Sequence, residues 1–232
     1  MKGRVSPLRL SIIVPVLNEA AGIVRALESL QSLRVHGHEV IVVDGGSADA
    51  TQALAQPLAD RVLVSPRGRA AQMNAGAANA SGDAYLFLHA DTRLPDRADT
   101  LIEEALSAHR WGRFDVRIAS PRPMLAVVAT MINLRSRLTG IATGDQAMFV
   151  TRAAFEEAGG FPAIAPMEDL AFSSKLKRRG RPACLAAKVV TSPRRWERNG
   201  VFGTVLMMWR LRLAYALGAD PERLARIYAR GA

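Results

Sequence analysis

Leu10-Ser11-Ile12-Ile13-Val14-Pro15-Val16-Leu17-Asn18-Glu19 runs from a nearly unbroken apolar segment into two polar residues. A short apolar run without polar alternation reads as a strand covered on both faces. Residues 10–14 therefore read as a buried strand that ends at Pro15. The pattern recurs downstream. Residues 20–33 place Ile23, Leu27 and Leu30 at helical spacing, and residues 39–43 form a second apolar run that stops at Asp44-Gly45-Gly46. Residues 50–58 read as a helix, 61–64 as a third strand, 69–80 as an alanine-rich helix, and 85–88 as a fourth strand ending at His89-Ala90-Asp91. Strand–helix alternation predicts an α/β fold with a mostly parallel mixed sheet flanked by helices. Open sheets of this kind bind ligands beyond the carboxyl ends of their strands. Polar residues collect at those ends: Asn18 and Glu19 after the first strand, Asp44 after the second, Asp91 after the fourth. A site is expected along that edge.

The second half is less regular. Residues 124–138 read as a helix, 147–150 as a short strand, and 170–179 as a helix entered from Glu168-Asp169. Residues 203–217 and 221–230 read as terminal helices. With no internal repeat or low-complexity linker, one domain over 1–200 with a basic helical extension over 201–232 is expected.

Composition narrows the partners. The 232 residues carry a formal net charge of +10, with 49% hydrophobic and 22% charged residues, a globular balance that favours anionic ligands. Aromatic residues are 6% and do not interleave with a basic run, so a nucleic-acid stacking surface is not expected. Cys184 is the single cysteine, which excludes an internal disulfide, fits a reducing compartment, and reads as a buried thiol in a strand. Residues 1–9 lack the apolar stretch of a signal peptide. The longest apolar runs, 124–134 and 201–209, are shorter than the about 20 residues that span a bilayer. A cytoplasmic protein is the expectation, and its arginine-rich C-terminal helices read equally as plain surface faces, a partner contact or a rest on the inner face of the membrane.

Val14-Pro15-Val16-Leu17-Asn18-Glu19 followed by Val42-Val43-Asp44-Gly45-Gly46-Ser47 and Asp49 resembles the opening of family 2 glycosyltransferases. The resemblance covers nearly the whole chain and implies the GT-A fold. It is closest to a bacterial branch described as radical-SAM-associated or arsenosugar-biosynthesis glycosyltransferases. Arg67-Gly68-Arg69-Ala70-Ala71-Gln72-Met73-Asn74, Leu88-His89-Ala90-Asp91-Thr92 and Gly144-Asp145-Gln146 suggest that branch. The implied activity is inverting transfer of a sugar from a nucleotide-sugar, a UDP-sugar first among candidates, to an acceptor hydroxyl.

The resemblance places Pro15, Asn18, Glu19, Asp44 and Gly45 around the donor nucleoside. A carboxylate such as Asp44 can accept the N–H of a uracil ring, and Gly45-Gly46 lets backbone approach a ligand closely. An Asp-Gly turn is the competing reading of the same residues, with Asp49 as a helix cap. Arg69, Gln72 and Asn74 resemble donor-pocket residues at a helix N-terminus, where phosphate is favoured. Ala90 and Asp91 occupy the place of the family's Asp-x-Asp motif, so Asp91 is the expected ligand for Mn²⁺ or Mg²⁺. His89 stands where the first aspartate would, and is a second candidate ligand or a structural residue. Asp169 matches the family's catalytic base, which takes the acceptor proton; an acidic first helical turn is the alternative. Asp145, Gln146, Glu168, Arg195 and Trp196 are expected near the sugar or acceptor, the last two resembling a shortened Gln-x-x-Arg-Trp motif with Ser192 in place of the glutamine.

Two rival functions carry different marks. A sugar-phosphate nucleotidyltransferase would hold a Gly-rich, Lys/Arg-containing loop after the first strand, where this chain has Pro15 to Glu19. A non-catalytic basic protein for membranes or nucleic acid would leave Asp44, Asp91 and Asp169 without a reason for their places. No Gly-x-Gly-x-x-Gly, Walker A or Gly-x-Ser-x-Gly pattern occurs, and His36, His38, His89 and His109 lack zinc-ligand spacing.

Overall fold

A computed structural model describes residues 7–164, 166–220 and 227. Strands β1 (Leu10–Val16), β2 (Glu39–Asp44), β3 (Arg61–Val64) and β4 (Ala84–Phe87) pair in parallel in the order β3-β2-β1-β4. Their side chains alternate between the faces of the sheet, as the pleat requires. Ile12, Val14, Val40 and Val42 join one apolar cluster, while Ile13, Ile41 and Val43 join another. Both faces are covered, which is why these strands read as continuous apolar runs. Helices α1 (Ile23–Glu28), α2 (Gln31–Val35) and α3 (Thr51–Ala55) connect the first strands, with a 3₁₀ turn over Gln56–Leu58. The single helix expected over 20–33 is two, interrupted at Ser29 and Leu30. Helix α4 (Arg69–Ala78) lies close on the sheet, and a Cβ at Gly76 would collide with Ile13.

The sheet continues through β5 (Thr92–Arg93), β6 (Trp111–Ile118), β7 (Phe149–Thr151) and β8 (Ala183–Thr191), in the full order β3-β2-β1-β4-β7-β6-β8-β5. Strand β7 is antiparallel to both β4 and β6, and β8 is parallel to β6. It follows that β1, β2, β4, β6 and β8 all end at one edge. The mixed, mostly parallel sheet agrees with the expected fold class. Helices α5 (Ala98–Leu106), α6 (Pro123–Thr139), α7 (Arg152–Ala158), α8 (Glu168–Lys177), α9 (Arg194–Asn199) and α10 (Val201–Ala216) complete the described elements.

Sequence periodicity gives no sign of β6, because it carries Arg113, Asp115 and Arg117 among its apolar residues. Arg113 is fully buried and paired with Asp115, whose other oxygen accepts from Arg137 at 2.7 Å. Asn133 of α6 completes the join by donating to Val116 O at 3.0 Å and accepting from Val116 N–H at 2.8 Å. Cys184 lies in β8 as expected but is half-buried rather than buried. The expected helix over 221–230 falls outside the described residues except for Ile227. Helix α10 packs Leu211 and Met207 against Met167 and Ile164, just ahead of the Glu168-Asp169 pair. No helix among the described residues is long and apolar enough to cross a membrane.

Candidate functional site

The loops after β1 and β2 are laced together. Asn18 N–H donates to Ser47 Oγ at 2.8 Å, and Asn18 Oδ1 accepts from Ala48 N–H at 2.8 Å. Glu19 N–H donates to Thr51 Oγ1 at 2.8 Å, and Ala20 N–H to Asp49 Oδ2 at 3.1 Å. Asn18 sits at φ 53°, a left-handed conformation that asparagine tolerates better than most residues. Asp44 organises its own turn. It is fully buried; Oδ2 accepts from Gly46 N–H at 3.0 Å, Ser47 N–H at 2.8 Å and Gln52 Nε2 at 2.8 Å, and Oδ1 accepts from Ser47 Oγ. Burial pushes its pKa up, but the hydrogen bonds from Ser47, Gln52 and Gly46 outweigh burial and hold it below the usual aspartate value. The Asp-Gly turn is thus realised, at φ 89° for Gly46.

Two residues expected in the donor pocket bind neighbouring backbone. Gln72 is buried, donating Nε2 to Val16 O and Val43 O at 2.8 Å each, with its amide against Gly45. Val16 O also accepts from Gly45 N–H at 3.0 Å, so the buried Gln72 amide adds a second donor at the ends of β1 and β2. Asn74 donates Nδ2 to Phe161 O at 2.8 Å and accepts from Phe161 N–H at 2.9 Å, clamping the loop ahead of α8. Pro15 lies within β1 opposite Val43.

A second group lines a pocket: Arg69, Met73, Phe87, His89, Gly144, Met148, Phe161, Glu168 and Asp169. Asp169 Oδ2 accepts from Gly144 N–H at 2.7 Å and Oδ1 from its neighbour Leu170 N–H at 2.8 Å. Burial pushes the Asp169 pKa up, Asp145 pushes in the same direction, and the two hydrogen bonds with the Arg69 charge only partly offset this. Glu168 is buried, its Oε2 has no hydrogen-bond partner, and burial with the Asp169 charge pushes its pKa up as well. Adjacent buried carboxylates titrate as a pair. Arg69 and His89 supply the opposing positive influence on Glu168.

His89 faces Asp145, with Nδ1 at 3.5 Å from Oδ1, and its ring rests on Gly144, where a Cβ would come within 2.7 Å of Nε2. That contact makes His89 a support for the Gly144 turn, whose N–H holds Asp169. Gln146 is buried and closes a capping box with Thr143, so it shapes the turn that presents Asp145.

Asp91 belongs to a third group. Arg194 Nη2 lies 3.1 Å from Glu19 Oε2 and 3.7 Å from Asp91 Oδ2, joining the ends of β1 and β4. All three side chains are partly exposed. The sequence points to the Arg194-Arg195 pair after a strand but not to the phase of α9, which decides which arginine faces the edge. Arg195's side chain lies outside the described residues, and Trp196 packs against the core. Ala90 lies half-buried between His89 and Asp91. Among the described residues no three His, Cys, Asp or Glu side chains stand together to hold a metal. Asp91 could hold a divalent cation whose other ligands include phosphate and water. A cation that keeps waters and substrate phosphates suits such a site.

Comparison with known proteins places this geometry. The model of Glycosyl transferase family 2 matches residues 11–125. A PGL/p-HBAD biosynthesis glycosyltransferase of Mycobacterium tuberculosis is 37% identical over 102 residues, 41% of this chain and 40% of that protein. An uncharacterized glycosyltransferase of Rickettsia felis is 33% identical over 107 residues, 46% of this chain and 37% of that protein. The chain thus spans about two fifths of the length of these curated relatives. The mannosyltransferase PcManGT from Pyrobaculum calidifontis, in complex with GDP-Man and Mn²⁺, superposes with a TM-score of 0.65 at 22% identity over 97% of this chain and 70% of its own. S. aureus TarS with UDP-GlcNAc gives 0.64 at 21% identity, over 80% of this chain and 58% of its own. The sheet is that of the GT-A fold, and residues 11–125 are similar to Glycosyl transferase family 2.

Proposed function

We propose that the protein is an inverting glycosyltransferase that moves a sugar from a nucleotide-sugar to an acceptor hydroxyl. The observation that carries this reading is Asp169. It is a carboxylate with a raised pKa, fixed by Gly144 N–H in a pocket that also holds Arg69. A raised pKa makes a stronger proton acceptor near neutral pH. Asp169 takes the acceptor proton as the acceptor oxygen bonds to the anomeric carbon. The bond from that carbon to the diphosphate oxygen breaks in the same displacement, which inverts the centre.

Arg69 and Arg194 supply positive charge for the diphosphate, and the laced loops around Asn18 and Glu19 face the nucleoside. Asp44 acts by shaping its loop. Its carboxylate meets the base only if Ser47 yields its hydrogen bond. When bound at Asp91, Mn²⁺ or Mg²⁺ would neutralise charge on the diphosphate. A UDP-sugar is the proposed donor; the neighbouring structures bind UDP-GlcNAc and GDP-Man. Asp145 and Glu168 lie on the sugar or acceptor side. The segments around Arg69, His89 and Gly144 support the radical-SAM-associated or arsenosugar-biosynthesis branch as the source of the acceptor. Residues 201–232 are taken as a C-terminal extension, of which α10 backs the acid pair through Met167. Nucleotide-sugar use and the single thiol support a cytoplasmic setting.

Calorimetry with UDP, GDP and TDP, with and without Mn²⁺, tests the donor site. Binding of UDP that Asp91→Asn weakens only in the presence of Mn²⁺ supports the reading. Failure of all three nucleotides to bind refutes it.

A further inference from the structure

Two helices turn apolar side chains into solvent. On α6, Met124, Val127, Met131, Leu134 and Leu138 are between 43% and 77% exposed. At about 100° per residue they form one stripe, opposite the buried Leu125, Ala129, Asn133 and Ser136 that seat the helix on the sheet. Helix α10 repeats the arrangement. Leu206, Trp209 and Leu213 are 58%, 67% and 63% exposed, opposite the buried Thr204 and Leu211. An apolar side chain left in water forgoes the stabilisation that burial brings, and contiguous stripes of this kind mark interaction surfaces.

The charges around the stripes select the partner. Residues 116–144 contain no Asp or Glu and hold Arg117 and Arg122, besides Arg137, which pairs with Asp115. Residues 198–219 likewise contain no acidic residue and hold Arg198, Arg210 and Arg212. Arg117, Arg122 and Arg210 are exposed. A seam between two copies of this chain would bring the exposed Arg117, Arg122 and Arg210 of one copy towards those of the other, whereas paired helices use opposite charges beside the apolar seam. An apolar stripe flanked by cations alone, with a tryptophan among the apolar residues, matches a surface that is hydrocarbon beneath and anionic above.

We propose that α6 and α10 rest on the surface of an anionic phospholipid bilayer, inserting their apolar stripes while the flanking arginines meet lipid phosphates. Strands β6 and β8 both end at the edge that bears the candidate site, so α6 and the α9–α10 segment begin there. The bilayer contact therefore starts beside the pocket.

Sedimentation of the full chain with vesicles tests this without any turnover. Vesicles of phosphatidylcholine with one part in three phosphatidylglycerol should bind the protein at least about tenfold more tightly than phosphatidylcholine alone. Met131→Glu with Leu134→Glu should lower that binding about tenfold or more, and Arg122→Gln about fivefold on the anionic vesicles only. Thermal melts identical to wild type would show that these surface variants fold. Equal binding to both vesicles, no binding to either, or wild-type binding by the glutamate pair would overturn the proposal. So would a wild-type dimer in light scattering that the glutamate pair dissociates, because the stripe would then be a seam between copies.

Discussion

Asn74→Ala separates a clamp from a ligand contact. The side chain makes two hydrogen bonds to one residue, 2.8 Å to Phe161 O and 2.9 Å from Phe161 N–H, and Phe161 is buried. Alanine leaves both backbone groups without a partner. Each buried orphan costs about 1–3 kcal/mol, and partial access of water through the half-buried position 74 offsets some of that, so about 2 kcal/mol in total is expected. For a chain of 232 residues this lowers Tm by about 4–8 °C. Phe161 lines the pocket with Asp169, so kcat should fall while nucleotide affinity at the β1–β2 loops stays within about twofold. Differential scanning fluorimetry and UDP calorimetry on the same preparation read the two effects. An unchanged Tm with a large loss of UDP affinity would refute the clamp and restore Asn74 to the donor pocket.

Asp115→Ala strips the fully buried Arg113 of its carboxylate partner and frees Arg137, which should cost about 3–5 kcal/mol in urea unfolding, because an unpaired buried charge remains. Asp145→Asn removes an anion that raises the Asp169 pKa, so the acid limb of kcat/KM should move to lower pH; Arg69→Gln removes a cation that lowers it, so the limb should move to higher pH. Movement of both limbs in one direction would contradict Asp169 as the titrating base. Glu168 has a folded-state pKa raised above its unfolded value, so its contribution is present below the unfolded pKa and is lost as pH rises through the folded pKa. Glu168→Gln should therefore gain stability relative to wild type in melts above that range and lose the gain in acid; a difference independent of pH would rule this out.

The parallel half of the fold was legible because β1, β2 and β4 are covered on both faces, which leaves continuous apolar runs bounded by polar residues. The same polar boundaries pointed to the candidate site, since strand direction alone puts Asn18, Asp44 and Asp91 on one edge. Strand β6 was not legible: Arg113 and Asp115 are buried by pairing with each other, and a paired buried charge looks like an exposed one in sequence. The roles of Gln72 and Asn74 depend on which side of α4 meets the sheet. Their position near a phosphate-type helix start says nothing of that. Asp44 shows the same limit, since its carboxylate is saturated by Gly46, Ser47 and Gln52. Arg194 was not singled out because the sequence does not show that the phase of α9 turns it towards Glu19 and Asp91.

Transfer chemistry at Asp169 is the central claim, and comparing wild type with Asp169→Asn tests it most directly. Nucleoside diphosphate release from a panel of UDP-, GDP- and TDP-sugars would be followed with an acceptor mixture, alongside calorimetry for the nucleotide. The account predicts that wild type turns over at least one donor and that the variant binds the nucleotide as wild type does but loses about a hundred- to ten-thousand-fold in kcat. A variant that turns over as fast as wild type would contradict the assignment of the base, and a wild-type protein that consumes none of the donors would contradict the function itself.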